Sequence, residues 1–272
     1  MLDTYFFIPG DKEKFINKID SLNADYIVID LEDAVSLQKK EDAFELTMSV
    51  VPQKNHFVRI PFFDRCYSEE QLTKLLRHFE GRIVVPKLRE QSELKQIMEL
   101  LPQPNLRMII LVENPICFIN LPDILKAYSS HIQGVGFGSH DFCSITGIKH
   151  TFENLSHYKR QLVLYTKAFN VDYIDGVDLD LKDFTQFKNE CVFAFEIGSS
   201  GKFLIHPSQI EALKSVKFIT DAEMDQLKAV YEKVKNIPDD SIEVYTINDK
   251  VYEKPHILRI KYLMEKVQKN IN

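Results

Sequence analysis

The sequence lacks the features that mark several classes of protein. It has no excess of positive charge, because 40 acidic residues outnumber 34 basic ones and the net charge is -6. This balance argues against nucleic acid as a main partner, since phosphate binding needs clustered Lys and Arg. No apolar run is long enough to cross a membrane. The amino terminus has no basic segment before its few apolar residues, so we expect no signal peptide and a cytoplasmic location.

Cysteine is scarce and widely spaced. The chain contains Cys66, Cys117, Cys143 and Cys191 and has no C-x-x-C pair, so the usual zinc and redox motifs are excluded. We expect four free thiols in a reducing compartment. No G-x-G-x-x-G follows the first apolar run, which argues against a dinucleotide-binding fold.

Short apolar runs alternate with amphipathic stretches along most of the chain. The runs are mostly continuous, which is typical of parallel strands covered on both faces. The eight candidate strands are Tyr5–Ile8, Tyr26–Ile29, Phe57–Ile60, Ile83–Val85, Met108–Val112, Val135–Phe137, Tyr173–Ile174 and Phe203–Ile205. Helix-capping patterns are predicted from Ser68 to Gln71, from Ser208 to Glu211 and from Thr220 to Glu223.

Eight strand and helix units in 272 residues predict a single α/β domain, a (β/α)8 TIM barrel. We expect the barrel to span residues 1–215. Residues 216–272 are surplus to a barrel, and we predict that they form a C-terminal helical extension or lid within the same structural unit. The last helix of this extension is predicted from about His256 to Lys269.

The stretch Ile27–Asp33 is the centre of the candidate site. Its apolar half favours burial, whereas the carboxylates of Asp30, Glu32 and Asp33 need cations or hydrogen-bond donors. A buried parallel strand that opens into a polar site explains this pattern. An acidic turn, in which Asp33 favours the N-terminus of the following helix, explains it equally well.

Charged residues recur where the other predicted strands end, and these ends carry the functional groups of such barrels. A cluster of acids with one Arg and one Lys is what a divalent-cation site for an anionic substrate requires, and Mg2+ prefers carboxylate and water oxygens. The strand-end residues outside the first stretch are Arg59, Lys87, Glu113, Asp141 and His206.

Most of these residues also have a simpler explanation. Glu113 would be satisfied by an ion pair, and Asp141 by an ordinary N-cap role. His206 titrates near neutral pH, but Pro207 and the capping pattern after it favour a structural role. Lys87 contacts a substrate carboxylate or CoA phosphate, or it neutralises the acids.

Eight short motifs occur in an order that resembles one family. They are Phe7–Asp11, Asp30–Val35, Val58–Ile60, Val85–Lys87, Val112–Pro115, Gly136–Asp141, Asp175–Val177 and Gly201–Ile210. Together they resemble the citrate lyase β-subunit-like branch of the HpcH/HpaI aldolase superfamily, over nearly the whole chain.

The resemblance implies a Mg2+-dependent carbon-carbon lyase of the EC 4.1.3 type. Such an enzyme cleaves or forms a 3-hydroxyacyl thioester of the malyl-, citramalyl- or citryl-CoA kind, and its other product or substrate is a 2-oxo acid. The thioester carrier is CoA or an acyl-carrier group. By motif position, Glu113 and Asp141 resemble the metal ligands, and Glu32 and Asp33 resemble the groups that hold the waters of the metal.

The remaining site residues are implied in the same way. Arg59 resembles the substrate-binding and catalytic arginine, and Asp33 is a second candidate catalytic group. The free amides near Gly138 are implied to take the substrate carboxylate, and we predict Lys87, Gly138 and Ser139 as substrate-binding residues.

Three positions depart from the family pattern. Asp3–Thr4 stand in place of Arg-Ser, which weakens the case for a bulky phosphorylated carrier, and Ile60–Pro61 replace an Asn after the arginine. Glu253 stands where relatives carry an Asp that acts as the acid/base group in a neighbouring subunit. If Glu253 acts in this way, the protein is a homotrimer or hexamer, but a solvated surface charge explains Glu253 as well.

These departures leave two alternatives to the thioester lyase. One is a free-acid aldolase or lyase that uses a 2-oxo acid without CoA. The other is a catalytically impaired paralogue that still binds ligands.

Overall fold

A computed structural model describes residues 2–100 and 106–269 of the chain. Eight parallel strands form a closed barrel in chain order, in which the eighth strand pairs with the first. The strands are β1 Asp3–Pro9, β2 Tyr26–Asp30, β3 His56–Arg59, β4 Arg82–Val85, β5 Arg107–Val112, β6 Ile132–Phe137, β7 Asp172–Asp175 and β8 Gly201–Leu204. The predicted (β/α)8 TIM barrel is confirmed, because each continuous apolar run forms a strand with both faces buried.

Helices follow each strand. They are α1 Glu13–Ile16, α2 Lys40–Met48, α3 Glu69–His78, α4 Gln91–Leu100, α5 Pro115–Tyr128, α6 Ser139–Thr146, α7 Phe152–Ala168, α8 Phe184–Ile197 and α9 Pro207–Lys214. Short 3-10 turns occur at Ile19–Ser21, Leu37–Lys39 and Ser129–His131.

Of the two capping boxes predicted within the barrel, one is confirmed and one is wrong. The Ser68 box is confirmed: Ser68 Oγ accepts the Gln71 N–H at 3.2 Å, and Gln71 Oε1 accepts the Ser68 N–H at 3.0 Å. The box predicted from Ser208 is wrong. Helix α9 begins at Pro207 with His206 as its N-cap, because proline fits the first helical position, where no N–H is needed.

The barrel interior is packed with side chains. Its core cluster consists of Tyr5, Val28, Phe57, Val84, Ile109, Leu111, Ile174 and Phe203. Gly136 leaves the space that the Phe203 ring fills, since a Cβ at this position would overlap Phe203 Cε2. Functional groups are therefore confined to the ends of the strands.

A buried ionic cluster lies where β7 ends, beside Lys202, the second residue of β8. The Asp175 carboxylate is 2.9 Å from Lys202 Nζ and 3.0 Å from Lys159 Nζ, and it accepts the Tyr173 hydroxyl at 3.1 Å. Burial alone would raise the pKa of Asp175, but the two ammonium groups outweigh burial and hold it far below its usual range. Lys159 also contacts Glu190 at 3.1 Å, so the cluster connects α7 and α8 to the strands.

The described residues fall into two compact units, Leu2–Val216 and the residues from Lys217 onward. The second unit contains α10 Asp221–Val234, the antiparallel strands β9 Tyr245–Ile247 and β10 Lys250–Tyr252, and α11 Lys254–Lys269. Its core includes Val230, Val234, Ile242, Ile247, Tyr252, Ile257, Ile260 and Met264. The predicted helical extension is confirmed. Its role as a lid and its membership of the same structural unit as the barrel stay predictions.

The sequence predicted the start of α10 in this unit but not its hairpin. Thr220 caps α10 as expected, since its backbone N–H donates to Glu223 Oε2 at 2.8 Å and its Oγ1 accepts the Glu223 N–H at 3.3 Å. The β9–β10 hairpin was not predicted. Asn248 and Asp249 both have positive φ at its turn, which is the backbone conformation of a tight two-residue hairpin.

Two further expectations concern thiols and membrane spans. The four cysteines are free thiols, as predicted. Within residues 2–100 and 106–269, none of the helices combines the length and the apolar character that a membrane span needs.

Candidate active site

The stretch Ile27–Asp33 is a buried strand that opens into a polar site. Its first four residues belong to β2, which is hydrogen-bonded to β1 and β3. Glu32 is only 1% exposed, whereas the Asp33 side chain is 53% exposed. The alternative of an acidic helix start is wrong, because the next helix, α2, begins only at Lys40.

Arg59, the last residue of β3, is paired with Asp30 by strand register. Arg59 Nε donates to Asp30 Oδ1 at 2.7 Å, and Arg59 Nη2 donates to Asp30 Oδ2 at 2.5 Å. The third nitrogen, Nη1, lies 3.1 Å from Glu32 Oε2. Burial alone would lower the pKa of Arg59, but Asp30 and then Glu32 outweigh it and raise the pKa above its usual range, so the guanidinium stays charged.

Glu32 lies between two cations. Lys87 Nζ contacts Glu32 Oε1, while Arg59 approaches Oε2. Burial raises the pKa of Glu32, and the two cations offset this effect only in part. Neither Glu32 oxygen accepts a well-oriented hydrogen bond from the described residues.

Lys87 connects four carboxylates. Its Nζ contacts Glu32 and lies 3.1 Å from Asp33 Oδ1 and 3.6 Å from Asp64 Oδ2. Its backbone N–H donates to Glu113 Oε2 at 2.7 Å. The residue has φ 55, a left-handed conformation that costs free energy for a side chain other than glycine. That conformation lets one residue contact the carboxylates through both its amide and its ammonium group.

The charge of Lys87 and Asp33 is fixed by the same contacts. Burial would lower the pKa of Lys87, but Glu32 and Asp33 raise it above its usual range. Burial would raise the pKa of Asp33, but the contacts with Glu32 and Lys87 lower it. Asp33 is therefore ionised at neutral pH. Of the two roles predicted for Lys87, its neutralisation of the acids is observed directly, and its contact with a substrate stays a prediction.

Glu113 directly follows β5 and is 3% exposed. Burial raises its pKa to about 8, and the nearby charges of Glu32 and Asp141 add to this effect, while Arg59 opposes it. In the described residues its carboxylate accepts one hydrogen bond, from Lys87, and no Lys or Arg side chain lies within ion-pair distance of it. The simpler role of an ordinary ion pair is therefore wrong for Glu113.

Helix α6 carries the other predicted metal ligand, Asp141, in its first turn. Asp141 is the third residue of the helix and Gly138 is its N-cap, so Asp141 is not an N-cap. Gly138 is small for a steric reason: a Cβ there would overlap Glu113 Cγ and lie 3.0 Å from Glu113 Oε1. This contact brings the loop after β6 against the Glu113 side chain.

The expected anion site near Gly138 has to be corrected in one respect. The Gly138 N–H donates to Val112 O at 3.0 Å, so this amide is not free for a substrate carboxylate. The following amides, of Ser139, His140 and Asp141, are in the first turn of α6, where a helix offers no acceptor to its own N–H groups. The Ser139 side chain is buried, and its Oγ lies 2.9 Å from His150 Nε2.

A cavity of about 390 Å³ adjoins this part of the site. Polar residues Lys87, Glu113 and Asp141 line one part of it, and Pro115, Ile116 and Ile145 line another. A mostly apolar cavity with a few converging charged groups is the usual form of a small-molecule site.

The donor set fits a hard divalent cation. Arg59 and Lys87 form ion pairs with Asp30, Glu32, Asp33 and Asp64. Within the described residues, Glu113 and Asp141 have no ion-pair partner, and the charge of Asp141 acts on Glu113. No group of three or more His, Cys, Asp or Glu side chains arranged to hold a metal ion occurs in residues 2–100 and 106–269. A closed zinc site is thus absent there, whereas Mg2+ keeps several waters and needs only one or two protein carboxylates.

Two further predicted residues have hydrogen bonds of their own. His206 is the N-cap of α9, and its Nδ1 accepts the Ser208 N–H at 3.2 Å, which agrees with the structural role favoured for it. Glu253 lies in the second unit, where its side chain is exposed and its N–H donates to His256 Nδ1 at 3.2 Å.

Several residues of the site have no sequence pattern that could have identified them. Lys40 Nζ donates to Leu31 O at 2.7 Å and Glu32 O at 2.8 Å, and thereby holds the loop after β2. Asp64 reaches Lys87 from the loop after β3. Both contacts join residues that lie close together only in the folded barrel.

The interpretation of Asp3–Thr4 also has to be corrected. These residues begin β1, and the Thr4 hydroxyl donates to Asp25 Oδ2 at 2.7 Å. Six further residues of the strand separate Asp3 from the carboxyl end, a distance of roughly 20 Å. Their departure from the family pattern therefore has no direct bearing on carrier binding at the carboxyl ends.

The sequence profile of the HpcH/HpaI aldolase/citrate lyase family matches residues 3–207. The chain belongs to this family. The family assignment confirms the resemblance carried by the eight motifs, and with it the class of carbon-carbon lyases. The match ends at the first residue of α9, so it covers all eight strands.

Two relatives and one solved structure are similar to this chain over most of their length. The (3S)-malyl-CoA thioesterase of Cereibacter sphaeroides is 26% identical over 269 residues, which cover 96% of this chain and 93% of the relative. The mitochondrial citramalyl-CoA lyase of Homo sapiens is 28% identical over 233 residues, which cover 76% and 68%. The crystal structure of CitE from Mycobacterium tuberculosis, in complex with magnesium, acetoacetate and coenzyme A, has a TM-score of 0.78 at 19% identity, and the match covers 96% of this chain and 98% of that chain.

Proposed function

We propose that the protein is a Mg2+-dependent carbon-carbon lyase that cleaves or forms a 3-hydroxyacyl-CoA thioester of the malyl, citramalyl or citryl kind. The observation that carries the proposal is Glu113, a buried carboxylate with a pKa of about 8 beside an excess of other acids. Such a carboxylate ionises favourably only when a cation joins it. The names of the relatives, a malyl-CoA thioesterase and a citramalyl-CoA lyase, support a thioester substrate.

In this proposal, Glu113 and Asp141 would hold the cation, and Glu32 and Asp33 would orient its waters. The cation would act as a Lewis acid toward the oxygens of the 2-oxo acid half. The charged guanidinium of Arg59 binds the anionic oxygens of the same half. The amides at the start of α6 and the side chains of Lys87 and Ser139 are the candidates for contact with its carboxylate.

The cleavage direction requires a defined movement of one proton and one electron pair. The bond between the hydroxyl-bearing carbon and the carbon next to the thioester carbonyl breaks. The hydroxyl proton leaves to a base, for which ionised Asp33 is the candidate in the barrel, and the oxygen becomes the oxo group of the 2-oxo acid. The electron pair remains as a thioester enolate, which takes a proton from an acid, and Glu253 of a neighbouring subunit is the candidate.

The test is a product assay with Mg2+ and each thioester. Malyl-, citramalyl- and citryl-CoA would release glyoxylate, pyruvate and oxaloacetate, respectively. Glu113→Ala should abolish the product, while Glu70→Gln, which changes a carboxylate on the exposed surface of α3, should leave it unchanged. Absence of any product from the wild type, with all three thioesters, would contradict the proposal.

A free-acid lyase is the second candidate. It is favoured by Ile60, which is fully buried directly after Arg59 and replaces a polar residue of the family pattern. A thermal shift with 2-oxo acids and Mg2+, but none with CoA, would support this candidate over the first. A single-turnover experiment separates both from a ligand-binding paralogue, because the paralogue would form no product.

The assembly proposed here is a homotrimer or hexamer. It rests on Glu253, whose side chain is exposed and would have to act in the site of another copy. Sedimentation of the full chain tests the assembly. A monomer that retains full activity would contradict this use of Glu253.

A further inference from the structure

Arg59 is held on three sides. Asp30 binds one edge of the guanidinium through Nε and Nη2 at 2.7 and 2.5 Å. The ring of Phe7 lies against its face, with 5.1 Å between Arg59 Cζ and the ring centroid. The remaining nitrogen, Nη1, lies on the side of Glu32, 3.1 Å from Oε2. Asp30 and Glu32 therefore restrict the guanidinium within its own plane, and the Phe7 ring restricts it on one face.

The Asp30 carboxylate accepts three hydrogen bonds in this arrangement. Besides the two bonds from Arg59, its Oδ1 accepts the N–H of Glu32 at 2.9 Å. Asp30 is 2% exposed, so water does not compete for these bonds. One carboxylate thus fixes both the arginine on β3 and the start of the loop that carries Glu32 and Asp33.

We propose that Asp30 is a positioning residue, which holds Arg59 by one edge so that its Nη1 end is presented to the anionic oxygens of the substrate. The proposal rests on the proposed function, in which Arg59 binds the 2-oxo acid half. The substrate oxygen would take the Nη1 end beside Glu32, because the Nε and Nη2 edge is occupied by Asp30. Nη1 carries two N–H groups, so it can bind one substrate oxygen beside its contact with Glu32 Oε2.

Asp30 also keeps the guanidinium of Arg59 from moving further toward Glu32 and Glu113. Glu32 and Glu113 are the next negative charges that act on the guanidinium. Without the Asp30 carboxylate, we expect the Arg59 guanidinium to move toward these acids. It would then leave the position that the register of β2 and β3 gives it. Lysine could not replace the arginine here, because an ammonium is a point charge without a fixed edge.

A double-mutant cycle tests the proposal. We expect Asp30→Asn to lower kcat/KM roughly 10- to 100-fold, which is the effect of a displacement of about 1 Å at a reacting centre. The same change made in Arg59→Lys should cause little further loss, since Asp30 acts through Arg59. Losses that multiply in the double mutant would overturn the proposal, because they would show that Asp30 acts independently of Arg59.

The matched control is Asp25→Asn. Asp25 is a carboxylate with two hydrogen bonds from Thr4, at 2.8 and 2.7 Å, and it lies at the opposite end of the barrel. This variant should lower the midpoint of thermal unfolding without lowering kcat/KM. If it lowers kcat/KM as much as Asp30→Asn does, the effect of Asp30 is general destabilisation and the proposal is wrong.

A second readout does not depend on turnover. The Arg59 Nε–H signal in a 1H–15N spectrum, assigned by its loss in Arg59→Lys, should lie away from the free-arginine position and return to it in Asp30→Asn. An unchanged signal in Asp30→Asn would refute the positioning role. If the wild type has no activity with any thioester or free acid, the proposed function fails, but this spectrum still decides the role of Asp30.

A second variant covers the case in which Asp30→Asn does not fold. Asp30→Glu keeps the charge and moves the carboxylate by one methylene. It should shift the Arg59 Nε–H signal and lower kcat/KM less than the loss of the charge does. Wild-type values for both measurements in a folded Asp30→Glu would contradict the proposal.

Discussion

The ionisation of Glu113 makes a specific prediction about the pH dependence of stability. In the metal-free fold the pKa of Glu113 is about 8, against its usual 4.5, mainly because of burial. The unfolded chain therefore loses this proton at a lower pH than the folded protein does. A group with a raised carboxyl pKa destabilises the fold as pH rises between the two values, so metal-free protein should lose stability from about pH 4.5 to about pH 8.

The magnitude follows from the shift. Each unit of pKa difference corresponds to about 1.4 kcal/mol, so ionisable Glu113 should cost about 1 kcal/mol at pH 5, roughly 3 kcal/mol at pH 7 and roughly 4 kcal/mol at pH 8. Glu113→Gln removes the ionisation and can keep the acceptor for the Lys87 N–H. The variant should therefore be more stable than the wild type in the absence of metal, by an amount that grows with pH.

The assay is urea unfolding of chelator-treated wild type and Glu113→Gln at pH 5, 7 and 8. The difference between the two free energies of unfolding isolates Glu113, because all other titrating groups are common to both proteins. Adding Mg2+ should stabilise the wild type much more than the variant, since binding to the folded state alone raises its stability. A difference that stays constant from pH 5 to pH 8 would refute the reasoning.

Three further predictions concern other parts of the barrel. Gly138→Ala should lower stability by about 1 to 3 kcal/mol and lower the metal-dependent activity, since its methyl group displaces Glu113; unchanged Mg2+ affinity by calorimetry would contradict this. Lys87→Gly should unfold at a higher urea concentration than Lys87→Ala, because glycine adopts the left-handed φ of this position without strain. Both variants lose the ammonium group, so equal unfolding midpoints would show that the backbone of Lys87 is not strained. Asp175→Asn should cost about 3 to 5 kcal/mol in urea unfolding, because it leaves the buried ammonium of Lys202 without its anion and Lys159 with Glu190 alone, and a loss below about 1 kcal/mol would show that the cluster is solvated.

The sequence predicted which strand ends carry the candidate site, but it predicted only some of the contacts between the site residues. Glu113 directly follows an apolar run, and Lys87 and Asp141 follow theirs after one and three residues. Arg59 lies within the third run. The strand ends meet at one edge of the barrel, so the local pattern suffices to bring such residues together. Their roles toward metal and substrate are proposals, because they depend on ligands that bind to the folded protein.

The sequence by itself determined the eight strands, most helix positions and the family, because apolar periodicity, capping residues and ordered motifs are local. Only the tertiary structure decided which charges meet. The pairing of Asp30 with Arg59 depends on the register of β2 against β3, and the role of Gly138 depends on the space that Glu113 occupies. The left-handed backbone of Lys87 likewise has no local signature. These features arise from contacts between residues 25 to 29 positions apart, which lie side by side only in the folded barrel.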